Sequence, residues 1–562
     1  MSETLVVANG LVVDGTGAPP RVADVLVEDG RVVRVDETVG RDTSALGAAI
    51  RVVDASGLVV TPGFVDIHTH SDLTLLSSPE AHSKVRQGVT TEVVGNCGLG
   101  VTPLAPGADV AAIRQAVGYL DLDPAVAWSW HDTAGYLDAV DAARPALNTA
   151  TLTGHLPLRA GVVGFADRAP DPAALDRMRG LLADTFAAGS LGLSTGLVYS
   201  PLCYATEDEL VALGRTVAFH DRVFTWHVRD YADDLLPSVD QALRVARATG
   251  CRTQISHLAS VGRRNWGAVR RALDAVEGAL DDGFRVAVDI YPYLHGNAPL
   301  SQLLPAWAQE GGADALARRL GDRAVRDDIA AEWVDRPSGW DEITLSRVPS
   351  VPRPAAEEDE VGMTIADIAV RRGADPDDVA MDLLAAYDSR VLIVAGGRSE
   401  DDLRTVLDHP ACVVASDGQA LDRDGVTGAG SPHPRSYGCF PRYLSRYAGT
   451  TDLELARAVR RCTGAPAELM GLTGTGTLTA GARADIVLFD RGRLGDRATF
   501  TDPQQYPEGI AAVLVGGETV VDNGRHTGRR PGRVLRAPHA DPSSARTAHV
   551  GGTARTPHEE NR

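Results

Sequence analysis

Between positions 62 and about 466, short apolar runs that end in polar residues alternate with Ala-, Leu- and Arg-rich stretches of helical period, such as 171–188 and 207–220. Strand followed by helix, repeated, predicts an α/β fold with parallel strands, because each helix carries the chain back to start the next strand alongside the last. The runs fall at 65–70, 91–97, 149–155, 191–195, 223–227, 253–257, 286–291 and 413–417. Eight is the number that closes a TIM-like (β/α)8 barrel, whose reactive side chains stand where the strands end. A ninth run, 391–395, is surplus to that count.

The ends of the chain alternate with a period of two instead. TLVVANGLVVDG and DVLVEDGRVVRV, in the segment 1–61, read as antiparallel strands, with Asp29-Gly30 as a hairpin turn. TGTLTAGARADIVLFD and GIAAVLVGGETVVDNG return to the same pattern within 471–536. The expected organisation is a barrel over 62–470 and a small β-sandwich domain built from both chain ends. Charged, Pro- and Trp-containing sequence at about 303–362, with an acidic run at 357–360, breaks the barrel rhythm and reads as a lid-like insertion after the seventh strand. Positions 537–562, rich in Pro, Ser, Thr, Arg and His, read as a disordered tail.

Composition excludes several classes of partner. A formal net charge of -20 repels phosphate backbones and argues against nucleic acid. No apolar run approaches the roughly 20 residues of a membrane span, and MSETLVVANG lacks the basic-then-apolar start of a secretory signal. The six cysteines are scattered without CxxC spacing, which fits a reducing, cytoplasmic compartment. Oligomeric state is not legible.

The chemistry begins with TPGFVDIHTH, which sets His68 and His70 two apart at the end of an apolar strand, where both face one side. Cys97 closes TTEVVGNCG, His227 closes VFTWHVRD and His257 closes RTQISHL. Taken singly, a buried cysteine is usually a small hydrophobe and a histidine after an apolar run a satisfied core residue. Placed together at one end of a barrel, they make a thiolate and imidazole set suited to Zn²⁺. Asp417, in VVASDG, ends the last run, where a carboxylate can bind metal or accept a proton; the competing reading is a turn before Gly418.

This order of HxH, two later single histidines and a final aspartate resembles the amidohydrolase superfamily. Many of its binuclear members bridge their metals with a carbamylated lysine, but Lys84, the only lysine here, stands on a helical stretch after the first strand. The GNCG motif instead resembles the N-acyl-D-amino-acid deacylase (D-aminoacylase) branch, as do GLSTGLVYSP, ISHLASVGRRNWG, DIYPYLHGNAPL, HPRSYGCFPRYL and TGRRPGRVLR. The resemblance implies that Cys97, His227 and His257 hold a tight zinc, that His68 and His70 complete a second, weaker site, and that Asp417 is the catalytic carboxylate. It also implies a small-molecule N-acyl amino acid as substrate, with Arg435 gripping its carboxylate and Tyr199 and Tyr291 as hydrogen-bonding candidates. The alternatives are a cyclic amide or ureide hydrolase of dihydroorotase or hydantoinase type, and a non-catalytic binding relative. His155, also at a strand end, is given no metal role.

Two positions depart from the family pattern. Ala259 stands where a lysine is common after SHL, and Gly296-Asn297-Ala298 replaces a Gly-Ser-Thr step. Arg263 or Arg264 is a possible substitute for the lost lysine, against the plainer reading of each as a solvated surface arginine.

Overall fold

The computed structural model describes residues 4–37, 50–349, 358–387 and 390–538. All but the first two positions of the expected disordered tail lie outside these residues. Valine-rich alternation builds β1 (Thr4–Val12), β2 (Arg21–Glu28), β3 (Arg31–Asp36), β4 (Ile50–Asp54) and β5 (Val59–Pro62). β1 pairs antiparallel with β2 and parallel with β4 and β5. The β2–β3 hairpin turns at Asp29 and Gly30, both at positive φ (49° and 73°), as a two-residue turn between twisted strands requires.

β6 (Phe64–Asp66), β7 (Val89–Val94) and β8 (Asn148–Thr151) form one parallel set. β9 (Thr153–Gly154), β10 (Gly192–Gly196), β11 (Val223–His227), β12 (Arg252–Ile255) and β13 (Val286–Ile290) form a second. β14 (Gly296–Pro299), β15 (Ile343–Arg347) and β16 (Leu392–Ala395) pair antiparallel in a separate sheet, after which β17 (Cys412–Val414) joins β13 in parallel. Every one of the eight runs read as a parallel strand is one, and the surplus run is β16. The fold class is therefore α/β with parallel sheets.

Helices between the strands carry the expected start and stop signals. Pro172–Ala187 begins with proline in its first turn after Asp171, whose carboxylate accepts the Ala174 N–H. Leu235–Thr249 ends at Gly250, in the left-handed conformation, and buries Val239, Leu243 and Ala246 against the core. Each such Val or Leu, fully buried, contributes about 1.5–3 kcal/mol. The segment between β13 and β17 has an apolar cluster of its own, running from Leu300 through Trp333 and Trp340 to Ile393. That cluster spans more of the chain than the 303–362 read from sequence.

β18 (Ile486–Phe489), β19 (Ile510–Val515), β20 (Glu518–Asp522) and β21 (Arg525–His526) complete the chain, and β18 pairs antiparallel with β5. The two chain ends thus share one nine-stranded sheet. No helix among the described residues is long and apolar enough to cross a membrane, and all six cysteines are free thiols.

Candidate metal and catalytic site

Five of the parallel strands deliver the side chains singled out above to one place. His68 and His70 follow β6, Cys97 follows β7, His227 ends β11, His257 follows β12 and Asp417 follows β17. The ligand atoms of His68, His70, Cys97 and Asp417 lie within 4.8 Å of one another, and so do those of Cys97, His227 and His257. Cys97 belongs to both groups. Its Sγ is 3.2 Å from His68 Nε2 and 3.5 Å from His257 Nε2. Asp417 Oδ1 is 3.0 Å from His70 Nε2 and 3.4 Å from His68 Nε2.

The backbone is bent to achieve this. Cys97 (φ 54°), His257 (φ 34°) and Asp417 (φ 52°) all occupy the left-handed region that non-glycine residues avoid. Each stands where a strand gives way to a loop, and the turn aims its side chain into one cavity. The glycines of GNCG are needed for the same bend: a Cβ on Gly95 would lie 2.4 Å from Leu152 O, and one on Gly98 would lie 2.8 Å from Gly196 N. Asn96 donates to Ile67 O (3.2 Å) and Val93 O (2.9 Å), tying the loop to its own strand β7 and to the segment that follows β6.

Burial sets the protonation of the site. It depresses His70 to about 4 and His227 to about 3, and holds His257 well below its ordinary value. Those three rings are neutral at pH 7, the form in which imidazole binds metal. Burial opposes the charged form of His68 as well, but Asp289, Cys97 and Asp417 together override it and hold this ring well above the usual histidine range. Burial likewise works against the Asp417 carboxylate, yet Arg435, first, and His68 keep it ionised far below the ordinary range.

Both ring nitrogens of His227 and Nδ1 of His70 and His257 are buried with no hydrogen-bond partner among the described residues. Buried polar atoms are normally satisfied, so the wholly unpartnered His227 ring leaves a donor nitrogen for a cation beside Cys97 Sγ and His257 Nε2. The donor set fits zinc.

Lys84 is elsewhere. Its Nζ donates to Asp66 Oδ2 (2.8 Å) and Ser416 Oγ (2.7 Å) in a fully buried network that also includes Glu92, 3.8 Å away. His155 bonds Thr195 and Glu209, each at 3.0 Å, in another closed network. Arg435 sits with Nη1 2.7 Å from Asp417 Oδ2 and Nη2 3.2 Å from the Tyr119 hydroxyl. Tyr199 packs its ring 5.1 Å from His227 and donates to Gln302, and the Tyr291 ring lies 4.5 Å from the Arg435 guanidinium.

Sequence reasoning missed the residues that support these. Asp289, at the end of β13, accepts from the His257 backbone N–H (2.9 Å) and from Gln254, and lies 3.2 Å from His68 Nδ1. Its place at a strand end, in DIYPY, was the available signal. Tyr231 packs edge-on to His227 and His257, and Tyr119 edge-on to His70; nothing local in the sequence marks either. Arg264 pairs with Asp233 at the surface (2.7 Å) and Arg263 lies over Trp266, so neither takes the place of a lysine at 259.

A cavity of about 420 Å³ opens onto the cluster, lined by His70, Cys97, His227, His257 and Asp417 on one side and by residues of the β13–β17 segment on the other. With this geometry established, comparison with known proteins is direct. The model of the Amidohydrolase family matches residues 51–521. The chain is 35% identical to an N-acyl-D-glutamate deacylase of Alcaligenes xylosoxydans xylosoxydans, over 95% of this chain and 96% of that one. It is 33% identical to a D-aminoacylase of the same organism, over 94% and 97%. A crystal structure of N-acyl-D-glutamate deacylase from Bordetella bronchiseptica, complexed with zinc and a phosphonate inhibitor that mimics the tetrahedral intermediate, superposes with a TM-score of 0.78 at 34% identity, covering 95% of this chain and 99% of that one. L-hydantoinase from Arthrobacter aurescens, at 16% identity and a TM-score of 0.53, shares the fold. With a family model spanning most of its length and near-full-length relatives above 30% identity, the chain belongs to the amidohydrolase family, among the N-acyl-D-amino-acid deacylases.

Proposed function

We propose that this protein hydrolyses the amide bond of N-acyl-D-amino acids in a zinc-dependent reaction, releasing a carboxylic acid and a free D-amino acid. The observation that carries the reading is the convergence of Cys97, His227 and His257 with His68, His70 and Asp417 on one cavity. Cys97, His227 and His257 would hold the tight zinc and His68 and His70 a second, weaker one, with Asp417 beside the second. What zinc supplies when bound is Lewis acidity, which acidifies water and offsets charge developing on a carbonyl oxygen.

The chain's own residues do the rest. Asp417, kept ionised chiefly by Arg435, accepts a proton from the attacking water as its oxygen adds to the amide carbonyl. It then delivers that proton to the amide nitrogen as the C–N bond breaks. His70 Nε2, 3.0 Å from Asp417 Oδ1, and Arg435 fix the carboxylate from two sides. The Asp289 carboxylate fixes the His68 ring and accepts from the His257 backbone N–H. Arg435, Tyr199 and Tyr291 are the proposed contacts to substrate.

The same reading takes the eight parallel strands as a closed barrel over 62–470, which the parallel bridge between Thr69 and Gly418, joining the first strand to the last, supports. The segments 1–61 and 471–536 are read as one small β-sandwich domain around the cluster of Leu5, Val25, Leu488 and Leu514. Six free thiols favour the cytoplasm as its compartment. The test is a panel of N-acetyl D- and L-amino acids, with a cyclic ureide for contrast, on zinc-loaded protein. Turnover of the D-series is expected, and Asp417→Asn is expected to lower kcat by about 10²–10⁴ with zinc content unchanged. Turnover of the ureide alone, or near wild-type kcat in the variant, contradicts the assignment.

A further inference from the structure

Tyr231 stands between the two strands that carry His227 and His257, and its hydroxyl joins them. The oxygen accepts from the Val228 N–H at 3.1 Å and donates to Ser256 O at 3.0 Å. Val228 N belongs to the peptide that leaves His227, and Ser256 O to the peptide that enters His257. The ring lies beside both imidazoles, its centroid 5.1 Å from that of His227 and 5.0 Å from that of His257. Tyr231 borders the cavity, yet its one hydroxyl proton is spent on Ser256 O.

That hydroxyl takes a defined place in the sheet. β11 and β12 run parallel with Trp226 opposite Ile255, and the Ser256 N–H donates to Trp226 O at 2.9 Å. Continued regularly, the next rung of a parallel ladder runs from the Val228 N–H to Ser256 O. The phenol oxygen occupies that rung, so two bonds in series span a gap that one would close, and the strands are held apart where each ends in a candidate ligand. There the His227 and His257 rings stand nearly perpendicular, at 85°, with centroids 4.6 Å apart.

These imidazoles need an outside hold. Histidines that bind metal are usually oriented by a hydrogen bond from the second ring nitrogen, but neither nitrogen of His227 nor Nδ1 of His257 has a partner among the described residues. Tyr199 packs on His227; Tyr231 packs on both rings. Its own loop is fastened independently of them. Arg229 donates to Gln241 Oε1 (2.9 Å), Cys203 O (2.9 Å) and Ala205 O, the Asp230 N–H donates to Ser238 Oγ (3.2 Å), and Tyr231 O accepts from the Val261 N–H (2.8 Å).

We propose that Tyr231 is a positioning residue for the tight zinc site: its hydroxyl bridge sets the spacing of His227 and His257, and its ring sets their tilt, so that both are preformed with Cys97 for one ion. This rests on the reading above of Cys97, His227 and His257 as ligands, and adds a residue that acts on zinc only through two of them.

The experiment measures zinc affinity by chelator competition on wild type, Tyr231→Phe and Tyr204→Phe, each stripped and reloaded with one equivalent of zinc. Tyr231→Phe keeps the ring and removes the bridge. Tyr204→Phe removes the hydroxyl of another buried tyrosine, bonded to Ala306 O (2.7 Å), that joins neither ligand strand. Both variants are expected to lower the Tm of the zinc-free protein, so zinc affinity is what separates them. Tyr231→Phe is expected to weaken zinc by about 10–100-fold, the usual loss for an outer partner, and Tyr204→Phe to leave it within about threefold. p-Aminophenylalanine at position 231, which restores a hydrogen-bonding atom at the same reach, is expected to recover part of the loss. Zinc affinity of Tyr231→Phe within about threefold of wild type, an equal loss in Tyr204→Phe, or no recovery with p-aminophenylalanine would each overturn the assignment. Failure of wild type itself to hold zinc would instead overturn the ligand set on which the assignment rests.

Discussion

Asp289 reaches the metal-binding cluster without belonging to it. By fixing the His68 ring and the His257 backbone it pre-orients one residue from each ligand group. Outer partners of this kind typically contribute 10–100-fold to metal affinity, so Asp289→Asn is expected to weaken zinc binding by about that factor in chelator competition, with Tm nearly unchanged once zinc is saturating. The ligands themselves were legible because imidazole and thiol chemistry at strand ends is distinctive. Asp289, Tyr231 and Tyr119 were not, since their roles come from contacts between strands and loops far apart in sequence. Arg435 was read as a grip for substrate and is found against Asp417, a pairing across 18 positions that only the fold creates.

At the scale of elements, the eight parallel strands and the Asp29-Gly30 hairpin could be read because their periodicity is local. The bent strand ends could not. Nothing in the residue identity of Cys97 or His257 announces a left-handed backbone; the glycines beside Cys97 and the turn signal of Asp417-Gly418 only hint at it. Gly95→Ala would force a Cβ to 2.4 Å from Leu152 O at a φ of +81°. It is expected to cost about 1–3 kcal/mol or more, lowering Tm in thermal unfolding and loosening zinc retention together. Run 391–395 was ambiguous for a physical reason: an apolar β-strand looks the same whether it joins a parallel set or the antiparallel sheet of β14–β16.

For the whole molecule, the buried network of Lys84, Asp66, Ser416 and Glu92 lies beneath the site and couples the first strand to the last. Burial raises Glu92 from 4.5 to about 7, against the opposing pull of Lys84. The folded chain therefore keeps a proton that the unfolded chain releases, and this residue's contribution to stability falls as pH rises from about 4.5 to about 7, then levels. Relative to wild type, Glu92→Gln is expected to gain stability across that window in denaturant unfolding, and a constant difference at all pH values would count against it. The central claim, that residues brought together from β7, β11 and β12 bind one ion, is tested most directly by zinc-edge X-ray absorption on the zinc-loaded protein. The account predicts one sulfur scatterer at about 2.3 Å together with imidazole nitrogens at about 2.0–2.1 Å, the sulfur disappearing in Cys97→Ser. A first shell without sulfur in the unmodified protein would contradict it.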